Sequence, residues 1–261
     1  MDPRFSRRRV EVRRSEGRRR LRVLVGITAV AAVGCGGWAA TGSPLLDVDH
    51  VMVEGGVHTS AGAATTAAHL RRGQPMVDVD VTAAVRGVDS LPWVAHATVQ
   101  RQWPGRVRIR IVERDPVAVA AGDGGGSALV DATGRVLDEV GAPPPGLPVL
   151  AGLAPAGPPG TTLSADGMAA VAVAVALPSE LRARTTDIGP SGDGEVELRL
   201  APAGTVRLGR PDNLAAKFDA VRAVLAQVDV HNLAVLDVRR PDSPMLTRLD
   251  TPTKVSTPRA G

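Results

Sequence analysis

The longest break in the alternation of polar and apolar positions is Val23 to Leu46, VLVGITAVAAVGCGGWAATGSPLL, which contains no charged residue. A helix rises about 1.5 Å per residue, so Val23 to Ala40 reaches roughly 27 Å, close to the hydrocarbon thickness of a bilayer. The pattern predicts one transmembrane helix over residues 23–42, ended by Ser43-Pro44. Beyond it the period falls to two. Val48, Val51 and Val53 are candidate inward positions of a strand stopped by Gly55-Gly56. Thr59 or Ser60 is placed to cap a helix running to about Arg72. Gln74 to Asp80 reads as a connector with Met76 packed, and Thr82 to Leu91 as a second helix stopped by Pro92. Val94 to Trp103 and Arg106 to Arg114 flank Pro104-Gly105 as two strands of a hairpin. In the second of them Val107, Ile109 and Ile111 face one way and Arg106, Arg108 and Arg110 the other, giving one buried and one wet face. Residues 46–115 therefore read strand, helix, helix, strand, strand.

After Pro116 the composition turns to Gly, Pro, Val and Leu. Ala118 to Ala121 leads into the glycine-rich turn Gly122 to Gly126. A hairpin follows, Leu129 to Asp131 with Arg135 to Leu137, around Thr133-Gly134. Pro143 to Pro145 and Pro155 to Gly160 mark loops. Ser164 is placed to cap a helix from Ala165 to Leu177. Glu195 to Leu200 and Thr205 to Leu208 alternate as a further hairpin. Leu214, Phe218, Val221 and Leu225 recur at helical spacing within about Asp212 to Gln227. Leu233 to Val238 is a late strand with which Ser243 to Arg248 can pair, and residues 251–261 form a polar, Pro-containing tail expected to be disordered. Residues 116–250 thus read as a β-rich α+β domain with an antiparallel sheet.

Charge sets an expected orientation. Residues 1–22 hold ten Arg against Asp2, Glu11 and Glu16, a net +7, whereas the whole chain carries +4. No Arg or Lys follows Arg22 until Arg71. Basic flanks stay cytoplasmic, so the tail belongs inside and the rest outside, with Trp38 at the outer interface. A cleaved signal peptide fits less well, because the basic region is long and Gly37-Trp38-Ala39 is a poor cleavage site. A lipoprotein signal ending at Cys35 is a looser match. Thr28, Ala32, Gly36 and Ala40 fall four apart, a small-residue stripe on which another helix can pack. Everything after the tail is net negative, which argues against a nucleic-acid face on the folded part. The only cysteine, Cys35, lies in the span, so the outer part has no disulfide or thiol chemistry.

No catalytic constellation is legible: there is no G-x-S-x-G, S-x-x-K, H-E-x-x-H or phosphate loop. The five histidines, at 50, 58, 69, 96 and 231, lack metal-ligand spacing, and no cofactor or small-molecule substrate is expected. Asp78-x-Asp80 suits a helix cap ahead of Thr82 better than a cation. Trp103 has two readings, a partner-binding anchor or, preferred, a cover for the core beside Pro104-Gly105. The Arg106, Arg108, Arg110 stripe reads as a solvated face, with an acidic partner as the alternative.

The element order just outside a single span resembles a POTRA domain. Gln100-Arg101-Gln102-Trp103-Pro104, with Val107-x-Ile109-x-Ile111-x-Glu113-Arg114-x-Pro116-Val117-Ala118, is similar to the motif of the FtsQ/DivIB cell-division family. Val51-x-Val53-Glu54-Gly55, Leu129-Val130-Asp131-x-x-Gly134-x-Val136-Leu137 and Leu208-Gly209 before Leu214-x-x-Lys217 also fit. The resemblance implies a non-enzymatic, bitopic scaffold of the divisome that helps control septal wall synthesis. It implies partners that are FtsB/DivIC-like and FtsL-like bitopic proteins, with FtsW/FtsI-like septal synthases as further candidates. Carried onto this chain, the partner-binding last strands involve Arg239, Arg240, Ser243, Met245, Leu246 and Thr247, with Pro241 and Pro244 at odds with a continuous ladder. An envelope transport or assembly factor is the alternative, but such proteins usually carry several POTRA units or a barrel, and neither repeat nor barrel strands are visible.

Overall fold

The computed structural model describes residues 23–32, 46–228 and 230–248. Residues 23–32 are helical (α1), with exposed side chains throughout. Thr28 lies in α1 and Ala32 at its end, whereas Gly36, Ala40 and the rest of the expected span lie outside the described residues. Among the described residues no helix is long and apolar enough to cross a membrane.

The chain divides into two compact units. The first takes residues up to Gly56, Ser60–Val88 and Ala97–Ile111; the second takes Val57–Thr59, Asp89–His96 and Val112 onward. In the first part of the chain the elements are β1 (His50–Glu54), α2 (Ala61–Ala67), α3 (Val81–Asp89), β2 (Val94–Gln102) and β3 (Arg106–Glu113). The sheet order is β1-β3-β2, with β1 parallel to β3 from His50 opposite Arg106 to Glu54 opposite Arg110. Val107, Ile109 and Ile111 are buried, as their alternation requires. Ser60 caps α2 by accepting from the Ala63 N–H at 3.1 Å, and Asp80 caps α3 by accepting from the Ala83 N–H at 2.9 Å. Helix α2 is shorter than its pattern suggests: it ends at Ala67, and the chain turns through His69 at φ 54°. The turn sends Leu70 back into the core. A Cβ on Gly87 of α3 would lie 1.9 Å from the Ala67 carbonyl oxygen, so the close approach of the two helices requires glycine there. The connector contains a 3-10 turn, Met76–Asp78, with Met76 fully buried. Trp103 is more open than its preferred reading as a core cover implies: 52% of its surface is exposed.

The second unit is built on a nine-stranded sheet. Its strands are β4 (Pro116–Ala121), β5 (Ser127–Asp131), β6 (Val136–Val140), β7 (Val149–Leu150), β8 (Thr185–Gly192), β9 (Glu195–Leu200), β10 (Thr205–Gly209), β11 (Leu233–Asp237) and β12 (Met245–Arg248). Between them come α4 (Ala165–Ala176), α5 (Ser179–Arg182) and α6 (Leu214–Leu225). The order is β12-β11-β10-β9-β8-β7-β4-β5-β6. The expected antiparallel sheet is instead mixed, because β4–β7, β7–β8 and β10–β11 pair in parallel. Parallel neighbours need a crossover, and α4 between β7 and β8 and α6 between β10 and β11 supply two of them.

Alternation along β4, β5 and β6 sends side chains to both faces of the sheet. Ala118, Ala120, Val130 and Val136 join the core under α4 and α6, with Val171, Phe218 and Val221. Val119, Leu129 and Leu137 point the other way and pack with Trp93. Ser164 caps α4 through the Gly167 N–H at 3.3 Å.

Candidate partner-binding edge

Strand β12 ends the sheet, so one side of it meets β11 and the other has no strand among the described residues. It pairs antiparallel with β11, Leu236 opposite Leu246 and Asp237 opposite Met245. Leu246 packs on the core beneath the sheet, while Met245 is 68% exposed and Thr247 is exposed. Arg239, Arg240 and Ser243 lie in the connection from β11 to β12, where the Ser243 N–H donates to the Arg240 carbonyl at 3.1 Å. Pro241 and Pro244 belong to that connection and not to β12, so neither removes a donor from the strand. A groove of about 430 Å³ opens among Asp237, Arg239, Arg240, Ser243 and Met245.

Arg239 is held from two strand ends. Its Nε and Nη2 donate to the Asp237 carboxylate at 3.0 and 2.7 Å, and Nη1 lies 4.0 Å from Glu195 Oε2. The Arg239 guanidinium, aided by the Arg239 N–H, keeps the Asp237 carboxyl below its usual range despite partial burial. Arg239 Cγ would sit 2.8 Å from a Cβ on Gly209, whose φ is +69°, so both conformation and space demand glycine at the end of β10. The loop that follows is tied down by Lys217 of α6, whose buried Nζ donates to the Arg210 carbonyl at 2.8 Å and to Asp212. Gly209 and Lys217 thus serve one corner of the sheet.

Glu113 and Arg114 do work that their sequence pattern does not disclose. The Glu113 carboxylate accepts from the His58 N–H at 2.9 Å and the Thr59 N–H at 2.6 Å, and lies 3.2 Å from His58 Nδ1. Burial alone raises its pKa, but the N–H groups of His58, Thr59 and Val57 and the His58 ring outweigh burial and hold it at about 2. The His58 ring stacks on Trp93, centroids 3.8 Å apart. Arg114 Nε donates to the Val94 carbonyl at 2.9 Å and Nη1 to Asp131 Oδ2 at 2.6 Å. Asp131 Oδ1 accepts from the Thr133 N–H, the Thr133 hydroxyl and the Arg135 N–H at 2.8, 2.7 and 2.9 Å. These contacts hold residues 57–59 and the turn between β5 and β6 in place. Two members of the Arg stripe are engaged as well, Arg108 at 3.3 Å and Arg110 at 3.4 Å from Glu54. Among the described residues no group of His, Cys, Asp and Glu is placed to hold a metal ion.

Comparison with known proteins matches residues 46–114 to the POTRA domain, FtsQ-type, and residues 118–239 to the cell division protein FtsQ/DivIB, C-terminal. A cell division protein FtsQ from Streptomyces bingchenggensis is 30% identical over 234 residues, 88% of this chain and 87% of the relative. Those from Mycobacteroides abscessus and Mycobacterium tuberculosis are 31% identical over 222 and 227 residues, covering 85% and 87% of this chain and 68% and 69% of theirs. With a POTRA domain, a β-rich C-terminal domain and relatives that align over most of both lengths, this chain belongs to the FtsQ/DivIB family of cell-division proteins.

Proposed function

We propose that this protein is a bitopic scaffold of the divisome that recruits other division proteins through the free side of β12. Residues 1–22 form the cytoplasmic tail and residues 23–42 the anchor, with Thr28, Ala32, Gly36 and Ala40 as its packing stripe. A POTRA domain over residues 46–115 and a β domain over residues 116–250 stand outside the membrane at the septum, followed by a tail over residues 251–261. The role is assembly, not catalysis, in control of septal wall synthesis. The observation that carries the reading is an end strand whose outward side meets no other strand among the described residues, with Met245 exposed on it. Unpaired N–H and C=O groups of an edge are a template for a strand from another chain.

The occupants that fit are the bitopic partners of FtsB/DivIC-like and FtsL-like type, contacting Arg239, Arg240, Ser243, Met245, Leu246 and Thr247. FtsW/FtsI-like septal synthases are recruited with them. Because Leu246 also packs on the core, substitutions there confuse folding with binding. The cleaner test is Met245→Lys with Thr247→Lys, since edge lysines oppose strand addition. The doubly substituted chain should keep its thermal midpoint and lose co-purification of the FtsB/DivIC-like partner. Undiminished co-purification would remove β12 as the site. Protease added to spheroplasts should digest the part beyond residue 46, and its survival would overturn the orientation.

A further inference from the structure

We propose that the β2–β3 turn, Trp103-Pro104-Gly105, sits in the outer headgroup layer of the bilayer as a second, peripheral membrane contact. The inference rests on the proposed anchor at residues 23–42. Trp103 is 52% exposed, although it is the largest apolar side chain in its turn. More than half of its surface thus meets solvent, which a core cover does not account for.

Its position in the fold points to the membrane. The Gly105 carbonyl accepts from the Asp49 N–H at 2.8 Å and the His50 N–H at 3.1 Å. A chain of six residues, from Ser43 to Val48, separates the proposed anchor from those donors. Fully extended, such a segment spans at most about 21 Å, and a relaxed one much less. The turn is therefore leashed to the bilayer surface by its own backbone bonds.

Other groups gather at the same end of this unit. The Val48 N–H donates to the Gln74 carbonyl and the Gly73 N–H to the Val48 carbonyl, at 2.8 and 2.9 Å, which brings the connector alongside. Arg101 Nη1 donates to the Met76 carbonyl at 3.3 Å. Val77, next to Met76, is 44% exposed. Two exposed apolar side chains, Trp103 and Val77, thus share an end with Arg101 and Arg106, which flank the tryptophan. Tryptophan prefers the interface because its ring is apolar and its N–H polar, and arginine beside it can reach phosphate while its stem stays apolar. Asp47, Asp49 and Asp78 lie at this end too and offset the arginines. Contact therefore depends on the ring more than on lipid charge.

The test uses the full chain in vesicles of phosphatidylcholine and phosphatidylglycerol, some brominated near the carbonyl end of the acyl chain. Trp38, Trp93 and Trp103 all emit, so the Trp103 signal is the difference between the wild type and Trp103→Phe. That difference should be blue-shifted, shielded from iodide and quenched by about half in the brominated vesicles, as for a ring at the interface. A difference signal that iodide quenches and bromine does not overturns the inference. So does a signal shielded from iodide only after an FtsB/DivIC-like partner is added, which makes Trp103 a protein contact. Alkaline carbonate separates the two claims. Release of the chain overturns the anchor and this inference with it, whereas retention with an unquenched Trp103 overturns this inference alone.

Discussion

Removing the Asp131 carboxylate should unfold more of the molecule than any loss of apolar contact in its turn can explain. Its side chain is 5% exposed and serves the Arg114 guanidinium, the Thr133 N–H and hydroxyl, and the Arg135 N–H. Breaking a buried ion pair from one side costs about 3–5 kcal/mol, because the other charge is left without its partner. Arg114 is 21% exposed, so its head recovers some water, and the Thr133 hydroxyl can rotate. The expected loss for Asp131→Ala is therefore near the lower end, about 3 kcal/mol. For a domain of this size that lowers the midpoint by about 6–12 °C. Thermal unfolding of the full chain in detergent, followed by the β-sheet circular dichroism signal, measures it.

The pH dependence adds a second readout. Burial raises the Asp131 pKa, but its bonds from Thr133, Arg114 and Arg135 outweigh burial and leave it below the usual carboxylate value. A lowered folded-state pKa means that the stabilisation is complete above the unfolded value, about 3.9. It is lost as pH falls through the folded value. The gap between wild type and Asp131→Ala should thus be full at neutral pH and shrink below about pH 4. A loss under about 1 kcal/mol, or a gap independent of pH, would falsify the claim that this carboxylate is a buried tie.

Three further outcomes follow from the same contacts. Glu113→Gln should cost about 1–3 kcal/mol at neutral pH and flatten acid unfolding between about pH 4.5 and 2, because the Glu113 contribution is lost progressively from the unfolded value down to its folded pKa of about 2; an unchanged acid midpoint would count against the carboxylate's hold on Val57–Thr59. Gly209→Ala should lose about 1–3 kcal/mol from its φ of +69° alone and, by displacing Arg239, weaken capture of the proposed FtsB/DivIC-like partner severalfold; urea titration and co-purification read the two effects separately. Lys217→Met keeps the apolar stem but strands the Arg210 carbonyl, for a loss of about 1–2 kcal/mol in urea unfolding; Asp212, 75% exposed on its side chain, stays solvated and adds little.

Local chemistry was readable wherever one residue acts on its near neighbours. The strict alternation of Val107, Ile109 and Ile111 announces a half-buried strand, and Thr59-Ser60 and Ser164 announce helix starts, because a cap needs only its own next turn; the folded chain chooses Ser60 of the first pair. The charge of residues 1–22 is likewise a property of composition. Strand β8, TTDIGPSG, shows no such signal: Pro190 and two glycines break the alternation, and it is a strand because β7 and β9 pair with it from either side. The two-residue β7 exists for the same reason, and the mixed order of the nine strands depends on crossovers through α4 and α6. Likewise, the burial of Trp93 under His58 and the pairing of Arg114 with Asp131 each join positions that periodicity treats as independent. The pattern along the chain determines which segments are apolar on one side. Which strand is left at the end of the sheet depends on where distant segments find their hydrogen-bond partners, and only the folded chain decides that.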